Sequence, residues 1–373
     1  AGPCILPQVV FKEAAEAVLD FNGLSILEVS HRHKDFVAVM DEAIDLVKKA
    51  LNVPTGYSVV FMQGGASLGF TIAALNMMRD NKRAGYFNTG TWASGAIKEA
   101  KKVGVDVAVL ASSEDKNFNY IPKDYTIPSD LDYLHFTSNN TIYGTQYKSF
   151  PETKVPLVCD MSSDIMSKVI DISKFDLIYA GAQKNIGPAG VVIVIAKKGI
   201  FGKTGRAIPT MMDYQTHIEN ASMFNTPPCF AIFTSLLTMQ WVKKMGGVAA
   251  IEKLNEQKAK ILYDEIDNNP LFVGTAAKED RSLMNVCFVM NDPNLEKPFY
   301  EYVKSNGVYG IKGHRLSGGF RASLYNALPL SVKLFDFTGI GASDVATNTN
   351  GYGYFEIRPK SGSGCLVYAR TND

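Results

Sequence analysis

The sequence predicts an α/β protein, with a mostly parallel sheet covered by helices in a large domain and a smaller α+β domain after it. Apolar runs begin near Val105, Leu131, Leu157 and Leu177, and helices or loops separate them. Such alternation is typical of a parallel sheet with both faces covered. The length of 373 residues also favours two domains, because one hydrophobic core rarely grows that large.

The N-terminal third contains the first predicted elements of the large domain. Residues 1–7 hold a glycine and two prolines, which predicts an extended arm rather than a helix. The Gly64-Gly65 turn opens a predicted helix, so its backbone N–H groups could bind an anion; an ordinary turn is the alternative. Apolar spacing predicts helices over residues 9–21, 36–51, 68–78 and 93–103, a strand over 57–62, and a strand and loop over 86–92.

Lys184 lies between two apolar runs, residues 177–180 and 191–196, which predict buried strands joined by a short turn. We expect this lysine to be held inside the protein. Burial in apolar surroundings lowers the pKa of an ammonium group, which is what a lysine that forms a Schiff base requires. A solvated turn lysine is the alternative that this segment leaves open.

Asp160 ends the predicted strand over residues 155–160, at the tip where α/β sheets bind ligands. A carboxylate one strand away from a buried lysine is the pair that a pyridoxal phosphate enzyme needs. The acid keeps the pyridine nitrogen protonated, and the lysine holds the aldehyde as an imine. A capping aspartate in an ordinary crossover is the alternative.

The C-terminal half contains a predicted domain boundary. A polar loop over residues 209–228 leads into a predicted helix over 229–245, and Gly246-Gly247 ends that helix. The segment 311–329 then carries two arginines and a histidine on a glycine-rich loop and strand. Between Gly247 and the segment 311–329, the sequence predicts a helix over residues 248–268, strands over 272–274 and 284–290, and a helix over 298–306.

Composition argues against several classes of function. Lys and Arg number 38 against 37 Asp and Glu, and no basic stripe indicates a nucleic acid partner. No apolar run approaches the length of a membrane span. The five cysteines form no C-x-x-C pair, which is typical of reduced thiols in the cytosol. We therefore expect a cytoplasmic protein that binds no metal, nucleic acid or membrane.

Seven motifs spread along the chain point to one family. They are Gly-Pro-x-x-Leu-Pro (2–7), Ser-His-Arg (30–32), Gly-Gly-Ala-Ser (64–67), Asn-Asn-Thr-Ile-Tyr-Gly (139–144), Ala-Gly-Ala-Gln-Lys-Asn (180–185), Phe-Asn-Thr-Pro-Pro (224–228) and Gly-His-Arg-x-x-Gly-Gly-Phe-Arg-Ala-Ser (313–323). With these motifs, Lys184 and Asp160, the chain resembles the phosphoserine aminotransferases, pyridoxal phosphate enzymes of class V and fold type I. The resemblance runs from Gly2 to about Pro329 and is far more specific than a single glycine motif.

The resemblance implies how pyridoxal 5'-phosphate would be held. Lys184 would bind the cofactor covalently and carry the proton between substrate carbons, while Asp160 would pair with the pyridinium nitrogen. Trp92 would stack on the ring, and Thr141 would hydrogen-bond the ring oxygen. The cofactor phosphate would be held by Ala66, Ser67 and Gln183, and by Asn225 and Thr226 of the neighbouring subunit, which implies an obligate homodimer.

The resemblance also implies a reaction, the transfer of an amino group between glutamate and 3-phosphohydroxypyruvate. Its products would be O-phosphoserine and 2-oxoglutarate, in L-serine biosynthesis. The phosphorylated hydroxythreonine of vitamin B6 synthesis is a second substrate that the resemblance leaves open. The residues implied to bind the doubly anionic substrate are His31, Arg32, His314, Arg315 and Arg321.

The predicted domains follow from the same match. An N-terminal arm over residues 1–11 would pack with the small domain, the large cofactor domain would span 12–245, and the small domain 246–329. Residues 330–373 form a tail that does not match the family.

Two other functions stay open at this point. A related pyridoxal phosphate enzyme, such as a lyase or cysteine desulfurase, would need a cysteine on a mobile loop, and only Cys365 has such a context. A binding protein of another class would use Gly64-Gly65 to cradle a nucleotide without chemistry. That reading would leave Lys184 unexplained.

Overall fold

The structure is a computed structural model that describes residues 3–330 and three short strands beyond them. Its helices are α1 (Gln8–Leu19), α2 (Lys34–Ala50), α3 (Ala66–Met77), α4 (Thr91–Lys102), α5 (Tyr214–Glu219), α6 (Cys229–Lys244), α7 (Val248–Asn268) and α8 (Glu296–Ser305). Its strands are β1 (Tyr57–Gly64), β2 (Arg83–Asn88), β3 (Asp106–Ser112), β4 (Tyr133–Thr137), β5 (Leu157–Asp160), β6 (Leu177–Gly181), β7 (Gly190–Lys197), β8 (Phe272–Gly274), β9 (Asn285–Met290), β10 (Phe320–Ser323), β11 (Leu334–Phe335), β12 (Glu356–Ile357) and β13 (Cys365–Leu366). The predicted tail, residues 330–373, otherwise lies outside the described residues, and so does the loop context predicted for Cys365.

The first sheet has seven strands in the order β1-β7-β6-β5-β4-β2-β3. Neighbours run parallel except at β7, which is antiparallel to both β6 and β1. Strand β7 reverses direction because only residues 182–189 connect it to β6, whereas parallel neighbours need a longer crossover. The prediction of an α/β fold with a mostly parallel sheet is confirmed.

Side chains alternate between the two faces of this sheet, and each face packs on its own helices. Phe136, Cys159 and Ile178 point to the face covered by α1, α2 and α6. Val158 and Tyr179 point to the opposite face, which α3 and α4 cover. Both faces are therefore buried, which explains why the central strands read as continuous apolar runs.

The second sheet is antiparallel, with the order β10-β9-β8. It shares a separate apolar cluster with α7 and α8, in which the rings of Phe272, Phe288, Phe299 and Phe320 contact one another. This α+β unit agrees with the small second unit of the predicted fold. The limits of the predicted domains, at residues 11, 245 and 329, stay predictions.

Two predictions about local structure are wrong. The loop predicted over residues 209–228 contains a 3-10 turn (Thr210–Met212) and α5. Asn76 of α3 stabilises both, because its side chain donates to Met212 O at 2.7 Å and accepts from Tyr214 N at 3.0 Å. Such a contact, distant in sequence, leaves no periodic signal. Trp92 lies within α4 and not in the loop before it.

The N-terminal arm reaches the turn that carries Lys184. Cys4 N donates to Gln183 O at 3.0 Å, and Cys4 Sγ contacts Lys184 O. The predicted packing of this arm on the small domain stays a prediction. Within residues 3–330, no helix is long and apolar enough to cross a membrane, and no three His, Cys, Asp or Glu side chains are grouped so as to hold a metal ion.

Candidate active site

The predicted site residues converge on one edge of the first sheet. Asp160 ends β5, and Lys184 lies three residues after β6, which is the neighbouring parallel strand. Thr141 follows β4 on the other side of β5. Because parallel strands end at the same edge, the three side chains are brought together by the direction of the strands alone.

Lys184 is half-buried on the turn between β6 and β7. The turn is compact: Lys184 N and Gly187 N both donate to Ala182 O, at 2.7 and 2.9 Å. The pKa of the Lys184 ammonium is lowered to about 8, mainly because of burial and also because of the charge of Arg321, while the Asp160 carboxylate opposes both effects. The amine is therefore neutral in a much larger fraction of molecules near neutral pH than an ordinary lysine would be.

Asp160 is 3% exposed. Ser162 donates to its Oδ1 twice, from the backbone N at 2.9 Å and from Oγ at 2.5 Å. Burial raises the pKa of the Asp160 carboxyl, whereas the two Ser162 bonds and the Lys184 charge lower it. The capping alternative is thus partly right, since Asp160 caps a turn. Every described donor bonds to Oδ1, however, so Oδ2 is left to accept from another group.

The N-terminus of α3 forms an anion cradle. Its first intrahelical bonds run from Leu68 N and Gly69 N to Gly65 O. The N–H groups of Ala66 and Ser67 come earlier in the helix and have no intrahelical acceptor, and no side chain caps them. Free N–H groups at the positive end of a helix dipole suit a phosphate.

The other three predicted phosphate ligands are Asn225, Thr226 and Gln183. Asn225 Nδ2 donates to Gln63 Oε1 at 3.2 Å and to Thr226 O at 3.2 Å, so the 225–226 segment contacts the strand end just before the Gly-Gly turn of its own chain. Gln183 directs its side-chain oxygen towards Gly181 at the end of β6.

A hydrogen-bonded chain of three residues lies beside the lysine. Trp92 Nε1 donates to Thr141 Oγ1 at 2.7 Å, and Arg321 Nη1 donates to Thr141 O at 2.8 Å. The Trp92 side chain is 38% exposed, whereas Arg321 is 7% exposed and its Nε has no partner among the described residues. A buried guanidinium with donors to spare is a ready carboxylate site.

The remaining predicted substrate residues fall into two groups. His314 is half-buried on the loop before β10, and burial together with the charges of Arg321 and Arg315 lowers its pKa. His31 and Arg32 lie on the turn before α2, where burial and the Arg32 charge lower the pKa of His31. Across residues 3–330, no hydrogen bond or ion pair joins His31 or Arg32 to Arg321.

Sequence reasoning missed two polar side chains close to Asp160. Ser162, which orients the carboxylate, follows it by two residues, and the Asp-x-Ser spacing of a side-chain turn could have indicated it. Tyr179 pairs with Asp160 across β5 and β6, and its hydroxyl contacts His135 Nε2 at 2.7 Å. Burial lowers the pKa of His135 to about 3, so that imidazole stays neutral. Only the strand register reveals this second contact.

Comparison with known proteins agrees with this geometry. The family model described as aminotransferase class-V matches residues 1–330. The phosphoserine aminotransferase of Flavobacterium psychrophilum is 60% identical over 333 residues, which cover 88% of this chain and 93% of the relative. That of Parabacteroides distasonis is 59% identical over 335 residues, which cover 89% and 94%.

Solved structures give the same result. The phosphoserine aminotransferase of Bacillus circulans subsp. alkalophilus superposes with a TM-score of 0.86 at 43% identity, over 88% of this chain and 92% of that chain. A phosphoserine aminotransferase from Trichomonas vaginalis, solved with PLP bound, superposes with a TM-score of 0.84 at 34% identity, over 88% and 95%. The chain therefore belongs to the class-V aminotransferase family.

Proposed function

We propose that this chain, with pyridoxal phosphate as cofactor, transfers the amino group of glutamate to 3-phosphohydroxypyruvate and gives 2-oxoglutarate and O-phosphoserine. The observation that carries the proposal is that Lys184 lies close enough to both Asp160, on the neighbouring strand, and Arg321, on the second sheet, for their charges to act on its amine. The amine of lowered pKa suits the cofactor aldehyde, and the buried carboxylate suits the cofactor ring nitrogen. The buried guanidinium suits a substrate carboxylate. The 60% identity to a phosphoserine aminotransferase supports the choice of substrates.

The residues present fit pyridoxal phosphate. Ala66 and Ser67 offer N–H groups to its phosphate, and Asp160 Oδ2 can accept the proton of its ring nitrogen. The Thr141 hydroxyl, which accepts from Trp92, keeps its own hydrogen to donate to the ring oxygen. The exposed indole of Trp92 leaves a face for stacking. The other residues that we propose around the cofactor phosphate are Gln183, Asn225 and Thr226.

When bound, the cofactor would supply the electron-withdrawing ring that makes the hydrogen on the substrate α-carbon acidic. Lys184, with a pKa of about 8, would accept that proton as a neutral amine and return it to the neighbouring carbon. Asp160, as a carboxylate, would hold the proton on the ring nitrogen. Arg321 would bind the substrate α-carboxylate and so turn the α-carbon towards Lys184.

The substrate phosphate would lie among the other cationic groups of the predicted set, namely His31, Arg32, His314 and Arg315. We further propose a homodimer in which Asn225 and Thr226 reach the cofactor phosphate of the neighbouring subunit. Thr226 is exposed on its own chain and therefore available to a second subunit, which supports this arrangement. The four cysteines within residues 3–330 are all free, which supports a cytoplasmic location.

The test is an assay of the purified protein loaded with pyridoxal phosphate. Glutamate and 3-phosphohydroxypyruvate are supplied, and 2-oxoglutarate is measured as it forms. We expect turnover that depends on the phosphate, so that hydroxypyruvate is a much poorer acceptor. Turnover with glyoxylate or hydroxypyruvate alone would indicate another aminotransferase of the family, and release of sulfide or ammonia would indicate a desulfurase or lyase.

A pair of lysine variants controls that assay. Lys184→Ala removes the amine that moves the proton, and we expect no turnover and no lysine adduct that borohydride can trap. Lys198 is exposed beyond the end of β7, so Lys198→Ala should behave as the wild type. Retention of a trapped adduct in Lys184→Ala would assign the chemistry to a different lysine.

A further inference from the structure

Three buried asparagines, Asn185, Asn255 and Asn326, form one connected set that we call the asparagine bridge. Asn185 Oδ1 accepts from Asn326 N at 3.0 Å, and Asn326 Oδ1 accepts from Asn255 Nδ2 at 2.9 Å. All three are at most 3% exposed. Inside a protein such amides are held firmly, because breaking one bond leaves a buried polar group unpaired.

The bridge joins the segments that follow the three charged residues of the site. Asn185 comes directly after Lys184, and Asn326 comes five residues after Arg321. The loop after Asp160 supplies the acceptors: Ile165 O, Met166 O and Ser167 O accept from the side chains of Asn185, Asn326 and Asn255, at 3.0, 2.9 and 3.0 Å. The asparagine bridge therefore connects the segments that follow Lys184, Asp160 and Arg321, through side chains that are not among the predicted site residues.

Lys258 of α7 holds the same segment from the other side. Its side chain is fully buried, and Nζ donates to Leu324 O, Tyr325 O and Leu328 O at 2.9, 2.9 and 3.1 Å. All three ammonium hydrogens are thus used on residues 324–328. This segment directly follows β10, the strand that carries Arg321.

We propose that Asn326 is a positioning residue for the reaction, whose side chain holds the strand carrying Arg321 at a set distance from the loop that follows Asp160, through Met166 O and Asn255 Nδ2. The inference rests on the proposed function, because it takes Arg321 as the group that binds the substrate α-carboxylate. Arg321 lies on the second sheet, whereas Lys184 and Asp160 lie on the first, so their spacing depends on bonds that cross between the two. A misplacement of about 1 Å can cost roughly a hundredfold in rate.

The test separates carboxylate binding from phosphate binding. Asn326→Ala is purified with cofactor bound, and the dissociation constants of O-phosphoserine and of O-phosphoethanolamine, which lacks the α-carboxylate, are measured. We expect phosphoserine binding to weaken about tenfold, since loss of buried hydrogen bonds frees the Arg321 strand. Phosphoethanolamine binding should not change, because that ligand has no α-carboxylate for Arg321 to bind.

Two more variants keep the result interpretable. Asn76 is buried to the same degree and donates to Met212 O at 2.7 Å, remote from the bridge, so Asn76→Ala should lose stability and leave the ratio of the two constants as in wild type. Asn255→Leu keeps the side-chain volume and removes the donors to Asn326 and Ser167, so it should shift the ratio in the same direction by less.

An unchanged ratio in Asn326→Ala overturns the proposal, and if that variant does not fold, an unchanged ratio in Asn255→Leu does so. A ratio that shifts equally in Asn76→Ala also overturns it, because the effect would then be general loosening. Failure of the wild type to convert 3-phosphohydroxypyruvate would instead reject the proposed function itself, and the two failures are distinguishable.

Discussion

At the scale of single residues, the site depends on what burial does to charge. Asp160 is buried and Lys184 is half-buried, and burial shifts the pKa of each towards its neutral form. Each also counteracts that shift in the other, because opposite charges stabilise one another. The pair thus keeps an amine that deprotonates near neutral pH beside a carboxyl group that can still ionise, which is the combination that proton transfer at a carbon atom requires.

The first prediction concerns the pH dependence of Lys184. A lowered pKa means that the neutral, reactive amine is lost as pH falls below about 8, not below the usual 10.5. We expect the rate at which apoprotein attaches pyridoxal phosphate to rise with pH and level off above about pH 8. Borohydride trapping at each pH measures it. In Asp160→Asn the midpoint of this pH profile should move to lower pH, since the Asp160 carboxylate raises the pKa of Lys184. A midpoint near pH 10 in the wild type would contradict the lowered pKa of Lys184.

A second prediction at this scale concerns the arginines. Arg321→Ala should reduce kcat/KM for phosphoserine and for alanine alike, by about a hundredfold, because two charge-assisted bonds worth roughly 3 kcal/mol are lost. Arg315→Ala and Arg32→Ala should penalise phosphoserine more than alanine, since only phosphoserine carries a dianion, and glutamate should be intermediate. The ratio of kcat/KM values is the measurement. If neither variant changes that ratio, the substrate phosphate binds elsewhere.

At the scale of elements, the site depends on how loops fix the starts of helices. The turn before α4 and the loop after β4 interlock, because Asn140 Nδ2 donates to Thr89 O at 2.6 Å. Gly90 lies against that amide: a Cβ on Gly90 would come within 2.3 Å of Asn140 Nδ2, and its φ of +153° disfavours other residues. We expect the bond between Trp92 and Thr141 to depend on this interlock.

The third prediction follows from that contact. Gly90→Ala should displace Asn140, break the Trp92–Thr141 bond and weaken cofactor binding at least tenfold, as judged by titration of the apoprotein with pyridoxal phosphate. Gly104→Ala is the matched control, since Gly104 also has a positive φ but open space around its Cβ. That control should lose only about 1 kcal/mol of folding stability, from backbone strain. Equal affinity in both variants would show that the interlock does not position Trp92.

At the scale of the whole molecule, we propose that the predicted site takes residues from two subunits. His31 and Arg32 lie on the turn before α2, and no described contact joins them to Arg321. Asn225 and Thr226 lie at the mouth of the anion cradle. A second subunit that completes each site would give these residues a role that their own chain does not show.

The fourth prediction tests that arrangement with hybrid dimers. Lys184→Ala and Asn225→Ala chains, differently tagged, are coexpressed and the mixed species is purified. If Asn225 acts across the interface, one of the two sites receives both native residues, and we expect about half of the wild-type activity per dimer. If Asn225 serves its own chain, the hybrid should be no more active than the average of its two parent homodimers.

Much of the fold and of the site was determined by the sequence alone. Apolar runs and their spacing predicted the strands that end at Asp160 and lead to Lys184, because burial on both faces of a parallel sheet leaves a local signal. The residues between β6 and β7 were too few for a crossover, so the turn that carries Lys184 followed directly from chain length. The family motifs then indicated which polar residues to expect around them.

Only the tertiary structure decided how the second sheet meets the first. Helix α5 forms because Asn76, more than a hundred residues earlier, binds its first turn. Arg321 reaches Thr141 across 180 residues, and Asn326 reaches Asn185 across 141. Such bonds depend on the packing of segments far apart in the chain. A single polar residue leaves no periodic pattern in the sequence from which its partner could be predicted. The sequence therefore specified the groups that we predict to do the chemistry, while the folded chain specified the distances between them.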